Sequence, residues 1–321
     1  MTRRALIALC ALTIVVAAGR TFDAQQTDAS GPAPVFTPVT YERLLNSADE
    51  PENWLMYSGN YSSQRYSGLD QVTVENADRL RLKWVYQLRD LDRAETTPLV
   101  INGMMYVTES PSTVIALDAT TGRVFWRYEH DLPEDVNYCC GRNNRGVAVL
   151  GTRLFMSTLD AHLVSLDART GTVLWDTEVA DAHLGYSKTA APLVVKDKII
   201  TGIAGGEFGI RGFLDAYDPE TGERVWRFYT IPGEGEPGNE TWAGDSWKTG
   251  GSPTWMTGSY DPDADLVYWG TGNPGPDWNG EARLGDNLYS DSVLALDPDT
   301  GELDWYFQFT PHDVHDWDAT Q

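Results

Sequence analysis

Three cysteines occur in the chain, and two of them, Cys139 and Cys140, are neighbours in the stretch Asn137-Tyr-Cys-Cys-Gly-Arg-Asn-Asn-Arg145. A disulfide between adjacent residues closes a very small ring and forces special backbone geometry, so it adds little chain-entropy stabilisation to a large domain. Two readings follow. One is a cross-link with a local task, because strained geometry clusters at functional sites; the other is a pair of free thiols in a buried strand.

The compartment bears on that choice. Arg3 and Arg4 precede an uncharged apolar run from Ala5 to Ala18, too short to span a bilayer and followed by small residues, which reads as a secretory signal over residues 1–24. Cys10 lies inside that run. The expectation is an exported protein with no transmembrane segment after signal removal, in a compartment where a Cys139–Cys140 disulfide persists. The formal charge of -23 becomes about -25 without residues 1–24, which carry Arg3, Arg4, Arg20 and Asp23. Such acidity argues against nucleic acid and anionic membranes as partners.

Residues 25–40 are rich in Ala, Pro, Thr and Gln without periodicity and read as a flexible leader. Tyr41 to Asn46 reads as a short helix, and no strong helical period follows. Short alternating runs, such as Pro98 to Val107, Arg153 to Ser157, Ala191 to Gly202 and Leu266 to Gly270, are separated by Gly, Asp, Asn and Pro. That is an all-β pattern.

The runs belong to a repeat. Ala116-Leu-Asp-Ala-Thr-Thr-Gly-Arg-Val-Phe-Trp126 is matched by Ser165–Trp175, Ala216–Trp226 and Ala295–Trp305, each with Asp at the third place, Thr-Gly at the sixth and seventh, and Trp at the last. Gly supplies the positive φ of a turn, and Trp supplies apolar area for packing on the neighbouring unit. The first two intervals between tryptophans are roughly 50 residues, the size of one propeller blade. Tyr260 to Trp269 forms another hairpin, and Lys83-Trp84 reads as a degenerate first member.

With these motifs the chain resembles the exported quinoprotein methanol and ethanol dehydrogenases that use pyrroloquinoline quinone (PQQ). The likeness runs from Glu52-Asn-Trp54 onward and is most specific at Thr108-Glu109-Ser110, Cys139 to Arg145, Gly205 to Gly212, Trp255 with Gly270-Thr-Gly-Asn-Pro274, and Thr310 to Asp318. The resemblance implies an eight-bladed β-propeller of four-stranded blades. Trp-bearing hairpins here amount to about four to five blades, so residues 41–321 are expected to form roughly the first half of it and to be inactive alone.

The resemblance also implies site residues. A vicinal disulfide of Cys139 and Cys140 would cover one face of the quinone and Trp255 would stack on the other, while Arg145, Glu109 and Thr158 would meet its polar edge and Gly205 and Gly206 would approach it through backbone. Arg offers a planar donor fork for carboxylate or quinone oxygens. Ala204 departs from the hydroxyl or amide residue common among related enzymes. Glu207 and Asn273 match metal ligands, hard oxygen donors suited to Ca²⁺ or a similar ion. Asp316 matches the catalytic aspartate, with Asp313 as the second candidate base and an Asx-turn as the ordinary role for either. Asp318, two residues further on, implies a lanthanide in place of Ca²⁺, since a trivalent ion gains more from one additional carboxylate; the expected ligands are then Glu207, Asn273, Asp316 and Asp318.

The implied activity is oxidation of a primary alcohol to an aldehyde by PQQ, with electrons passed to a c-type cytochrome in the periplasm. A non-catalytic exported propeller scaffold built from similar repeats is the alternative. Such a scaffold has no reason to keep Cys139-Cys140, Glu207, Asn273 and Asp316 together.

Overall fold

The protein is described here by a computed structural model covering residues 35–90 and 93–320. The expected signal and the leader up to residue 34 lie outside the described residues. The last residues of the leader are docked: Phe36 packs on the core, and Val39 is buried and pairs with Gly151 through two backbone hydrogen bonds of 2.9 and 2.7 Å. The expected short helix is α1 (Tyr41–Leu45), whose first turn is capped by Thr40 accepting from Arg43 N.

Four antiparallel sheets follow, each a simple up-and-down meander of four strands. Blade 1 holds β1 (Leu99–Ile101), β2 (Met104–Glu109), β3 (Thr113–Asp118) and β4 (Val124–Glu129). Blade 2 holds β5 (Val147–Leu150), β6 (Arg153–Ser157), β7 (His162–Asp167) and β8 (Val173–Glu178). Blade 3 holds β9 (Leu193–Val195), β10 (Lys198–Gly202), β11 (Phe213–Tyr217) and β12 (Arg224–Tyr229), and blade 4 holds β13 (Ser259–Asp261), β14 (Leu266–Gly270), β15 (Ser292–Leu296) and β16 (Leu303–Gln308).

The repeated eleven residues join the third and fourth strands of each blade, and each of their fixed residues has a visible task. Asp118, Asp167, Asp218 and Asp297 accept hydrogen bonds from the two backbone N–H groups two and three residues ahead, an Asx-turn that closes the loop. Gly122, Gly171, Gly222 and Gly301 take φ of 72, 72, 73 and 73°. They also leave room for the indole of the preceding repeat: a Cβ on Gly171 would lie 2.5 Å from Trp126 Cε3, and one on Gly301 2.6 Å from Trp226 Cε3. The same indoles donate Nε1–H into the turn they cover, Trp126 to Ala168 O at 3.1 Å, Trp175 to Pro219 O at 3.0 Å and Trp226 to Pro298 O at 3.0 Å. Trp84 does likewise to Ala119 O at 3.1 Å, although its segment forms no strand. The turn glycine is thus required twice, by its backbone and by its neighbour.

The middle strands do not alternate between core and solvent. Residues 213–217 of β11 are all buried, and β3 and β7 are buried along nearly their whole length. A blade with neighbours on both faces meets protein on each, and among the described strands exposed positions fall on the outermost ones, β4, β8, β12 and β16. The segment after α1 ties the blades together. Trp54 pairs with Val100 of β1, Tyr61 O accepts from Tyr260 N of β13, and the Tyr61 hydroxyl donates to Val194 O of β9 at 2.8 Å.

Candidate functional site

At the N-terminal ends of the innermost strands the blades meet around one cavity of 270 Å³. Glu95 and Thr189 stand four residues before β1 and β9, Trp255 four before β13, and Arg145 two before β5. Backbone hydrogen bonds chain these points together: Thr97 N donates to Arg145 O and Arg145 N to Thr189 O, both at 3.0 Å, and the Thr189 hydroxyl reaches Trp255 O at 3.5 Å. One wall of the cavity is therefore a row of side chains, one from each of four blades.

Arg145 Nη2 pairs with Glu95 Oε2 at 2.7 Å, and its guanidinium lies over the Trp255 ring, 4.8 Å from the centroid. Cys139 and Cys140 are disulfide-bonded and line the same cavity. Their loop is held by Asn143 Nδ2 donating to Cys140 O at 3.1 Å, with Cys140 at φ 66° and Gly141 at φ 94°. On the same cavity, Ser187 and Ala204 exchange two backbone hydrogen bonds and deliver the Gly205-Gly206-Glu207 turn. Gly205, at φ 111°, is pressed against the Gly185 carbonyl, while Gly206 packs on Pro253 behind the wall. No side chain fits at Gly205.

Glu207 brings Oε1 to 3.1 Å from Cys139 Sγ; with both sulfurs held in the disulfide, the carboxylate is the group here able to ligate a cation. Asn273, Asp316 and Asp318 line the cavity as well. Asn273 Nδ2 donates to Asp277 Oδ1 at 2.7 Å, which leaves its amide oxygen for a cation. Desolvation raises the Glu207 carboxyl above its ordinary value, with Asp277 and Asp316 adding to it. It raises Asp316 as well, aided by Asp277 and Asp313, and pushes Asp318 up to about 6, with Asp316 next in effect and a Trp255 hydrogen bond opposing. Burial and mutual repulsion both disfavour charge on these carboxylates, and a bound cation would offset both.

The structure puts Cys139, Cys140, Arg145, Gly205, Trp255, Glu207, Asn273, Asp316 and Asp318 on one cavity, and it does not bring Gly206, Glu109 or Thr158 there. Glu109 is buried and occupied, pairing with Arg127 at 2.5 Å and accepting from the backbone N–H groups of Arg89 and Asp90. Thr158 is buried in blade 2, donating to Asp160 Oδ1 at 2.5 Å and accepting from His162 N. Glu95 and Thr189 line the wall in their stead. Their signal was present in the sequence as a shared spacing, Glu95-Thr-Thr-Pro-Leu99 and Thr189-Ala-Ala-Pro-Leu193, before two innermost strands. Asp313 is buried and spends its carboxylate on His315 N and Trp317 N, both at 2.8 Å, so it shapes the loop that carries Asp316.

Among the described residues, Asn143 Oδ1, Arg145 Nη1 and Asp318 Oδ1 are buried without a hydrogen-bond partner, and all three residues line this cavity. An unpaired guanidinium N–H suits an anionic ligand, and unpaired oxygens beside raised carboxylates suit a cation. Residues 54–321 match the family described as PQQ: Glucose/ethanol/alcohol dehydrogenase, beta-propeller domain. The chain belongs to this PQQ-dependent dehydrogenase family. Among relatives, it is 44% identical over 300 residues to the quinoprotein alcohol dehydrogenase PedH of Pseudomonas putida, covering 88% of this chain and 50% of PedH. It is 42% identical over 302 residues to a lanthanide-dependent methanol dehydrogenase of Methylacidiphilum fumariolicum, covering 87% and 49%. The solved structure of a europium-containing methanol dehydrogenase superposes with a TM-score of 0.82 at 42% identity, over 87% of this chain and 52% of that one. The chain thus spans about half the length of the relatives it matches. As a family member it shares the PQQ propeller, and Ca²⁺ or a lanthanide fits its oxygen donor set.

Proposed function

We propose that this protein supplies the quinone- and cation-binding half of a PQQ-dependent alcohol dehydrogenase that oxidises a primary alcohol to an aldehyde. The observation that carries the reading is the convergence, on one cavity, of the Cys139–Cys140 disulfide, Trp255, Arg145 and the oxygen donors Glu207, Asn273, Asp316 and Asp318. Cys139–Cys140 and Trp255 would hold the faces of the quinone, and Arg145, Glu95 and Thr189 its polar edge. Glu207, Asn273, Asp316 and Asp318 would hold the cation. When bound, PQQ supplies a two-electron acceptor for hydride, made more electrophilic by the cation.

The remaining chemistry belongs to the chain. Asp316 takes the hydroxyl proton of the alcohol as general base. Asp313 keeps Asp316 in place by fixing the backbone on either side of it. The Asp316–Asp318 pair favours a trivalent lanthanide over Ca²⁺, and the lanthanide named in one relative and the europium named in a solved structure support that choice. Electrons then leave to a c-type cytochrome in the periplasm. The apolar run after Arg4 supports export, and among the described residues no helix is long and apolar enough to cross a membrane.

The test uses the full-length protein loaded with PQQ and lanthanide or Ca²⁺. Bound quinone absorbance and alcohol-dependent dye reduction are expected, and Asp316→Asn should keep the absorbance while losing about 10²–10⁴ in turnover. Wild-type turnover in Asp316→Asn, or no quinone bound by the loaded protein, would overturn the reading.

A further inference from the structure

Arg283 is fully buried, yet among the described residues it forms no salt bridge with a carboxylate. Its donors go to oxygens on two loops, the β14–β15 connection and the segment after β16: Nε to Pro276 O at 3.1 Å, Nη2 to Asp277 O at 2.8 Å and to Asp313 O at 2.5 Å, and Nη1 to Asn287 Oδ1 at 2.9 Å. Asn287 returns the contact, donating Nδ2 to Arg283 O at 2.7 Å. Pro276 and Asp277 close the loop that carries Asn273, and Asp313 anchors the loop that carries Asp316 and Asp318. The two loops leave the same end of blade 4, one after β14 and the other after β16, because those strands run in the same direction on either side of β15.

From this we infer that Arg283 is a positioning residue that sets the distance between the Asn273 loop and the Asp316–Asp318 loop, and so the affinity of the site for its cation. The inference rests on the proposed reading of the cavity as a cation site. A buried guanidinium costs much desolvation, and its position under Asp277, Asp313 and Asp291 offsets part of that cost through space. Because its N–H groups bind carbonyl oxygens, the carboxylates above stay free: Asp277 to hold the Asn273 amide, and Asp316 and Asp318 to face the cavity. Only a planar fork with five donors reaches four acceptors on two loops at once; a lysine ammonium has three donors and no fork.

The experiment is a titration of the full-length protein with Tb³⁺, read by emission sensitised from tryptophan, of which Trp255 lines the cavity. Wild type, Arg283→Met, Arg283→Lys and Asn287→Ala are compared well below their melting temperatures, with circular dichroism confirming the fold. Supporting-shell contacts of metal ligands are typically worth 10–100-fold in affinity. Accordingly Arg283→Met is expected to weaken Tb³⁺ binding by at least about tenfold, Arg283→Lys to recover little of it, and Asn287→Ala, which removes one arm and leaves the others, to lose a smaller factor. If Arg283→Met does not fold, Asn287→Ala and Arg283→Lys decide the matter. Affinity within twofold of wild type in the folded variants would overturn the inference, as would full recovery by lysine, which would make charge and not geometry the cause. Absence of Tb³⁺ binding in the wild type would instead overturn the cation site itself.

Discussion

Replacing Gly171 with Ala tests the double requirement on the turn glycine. At φ 72° an alanine pays the left-handed backbone penalty, about 1–2 kcal/mol. Its Cβ would also lie 2.5 Å from Trp126 Cε3 and 2.8 Å from Cδ2, so the indole must move, at about 1–3 kcal/mol for overpacking. Gly151 is the control, because it takes φ 62° and its added Cβ meets nothing within 4 Å. Gly151→Ala should therefore cost about 1–2 kcal/mol and Gly171→Ala about 2–5. The assay is the denaturant midpoint of full-length protein at matched slope, repeated in a Trp126→Ala background. There the excess cost of Gly171→Ala over Gly151→Ala should vanish, since the clash has gone. Equal costs for the two glycines in the wild-type background, or an excess that survives removal of Trp126, would refute the reasoning.

Burial raises the Asp318 carboxyl to about 6, so between about pH 4 and 6 the native protein without metal holds more protons than the unfolded chain and loses stability as pH rises. Asp318→Asn should then stabilise the metal-free protein at pH 7 by about 1–2 kcal/mol, after allowing for screening by cavity water, and by nothing near pH 4; a gain equal at both pH values in thermal melts would count against the shift. The same variant should bind Tb³⁺ more weakly and lose lanthanide-supported turnover, whereas equal activity with wild type would remove Asp318 from the ligand set. Replacing both Cys139 and Cys140 with Ala should impair quinone binding or turnover with little change in melting temperature, because an adjacent-residue ring constrains almost none of the unfolded chain; a large stability loss at unchanged activity would reverse that assignment.

The blade was legible in the sequence because its signals are local. The Asx-turn of Asp167, the positive φ of Gly171 and the extended run to Trp175 each depend on residues only a few positions apart, and they recur in four copies. The loop cysteines and the Gly205-Gly206-Glu207 turn were legible for the same reason. What each buried polar side chain meets was decided by the neighbouring blade and by strand position. Glu109 ends β2 and is taken up by Arg127 on β4, whereas Glu95, before β1, reaches Arg145 from blade 2. Thr158 is held inside its own blade by Asp160, while Thr189, ahead of β9, joins the cavity wall. The sequence by itself determined the repeat and the residue types able to hold a quinone and a hard cation. Only the tertiary structure decided which acids and hydroxyls face the cavity, because a strand's side chains alternate between faces and the partner on each face comes from a blade roughly 50 residues away in the chain.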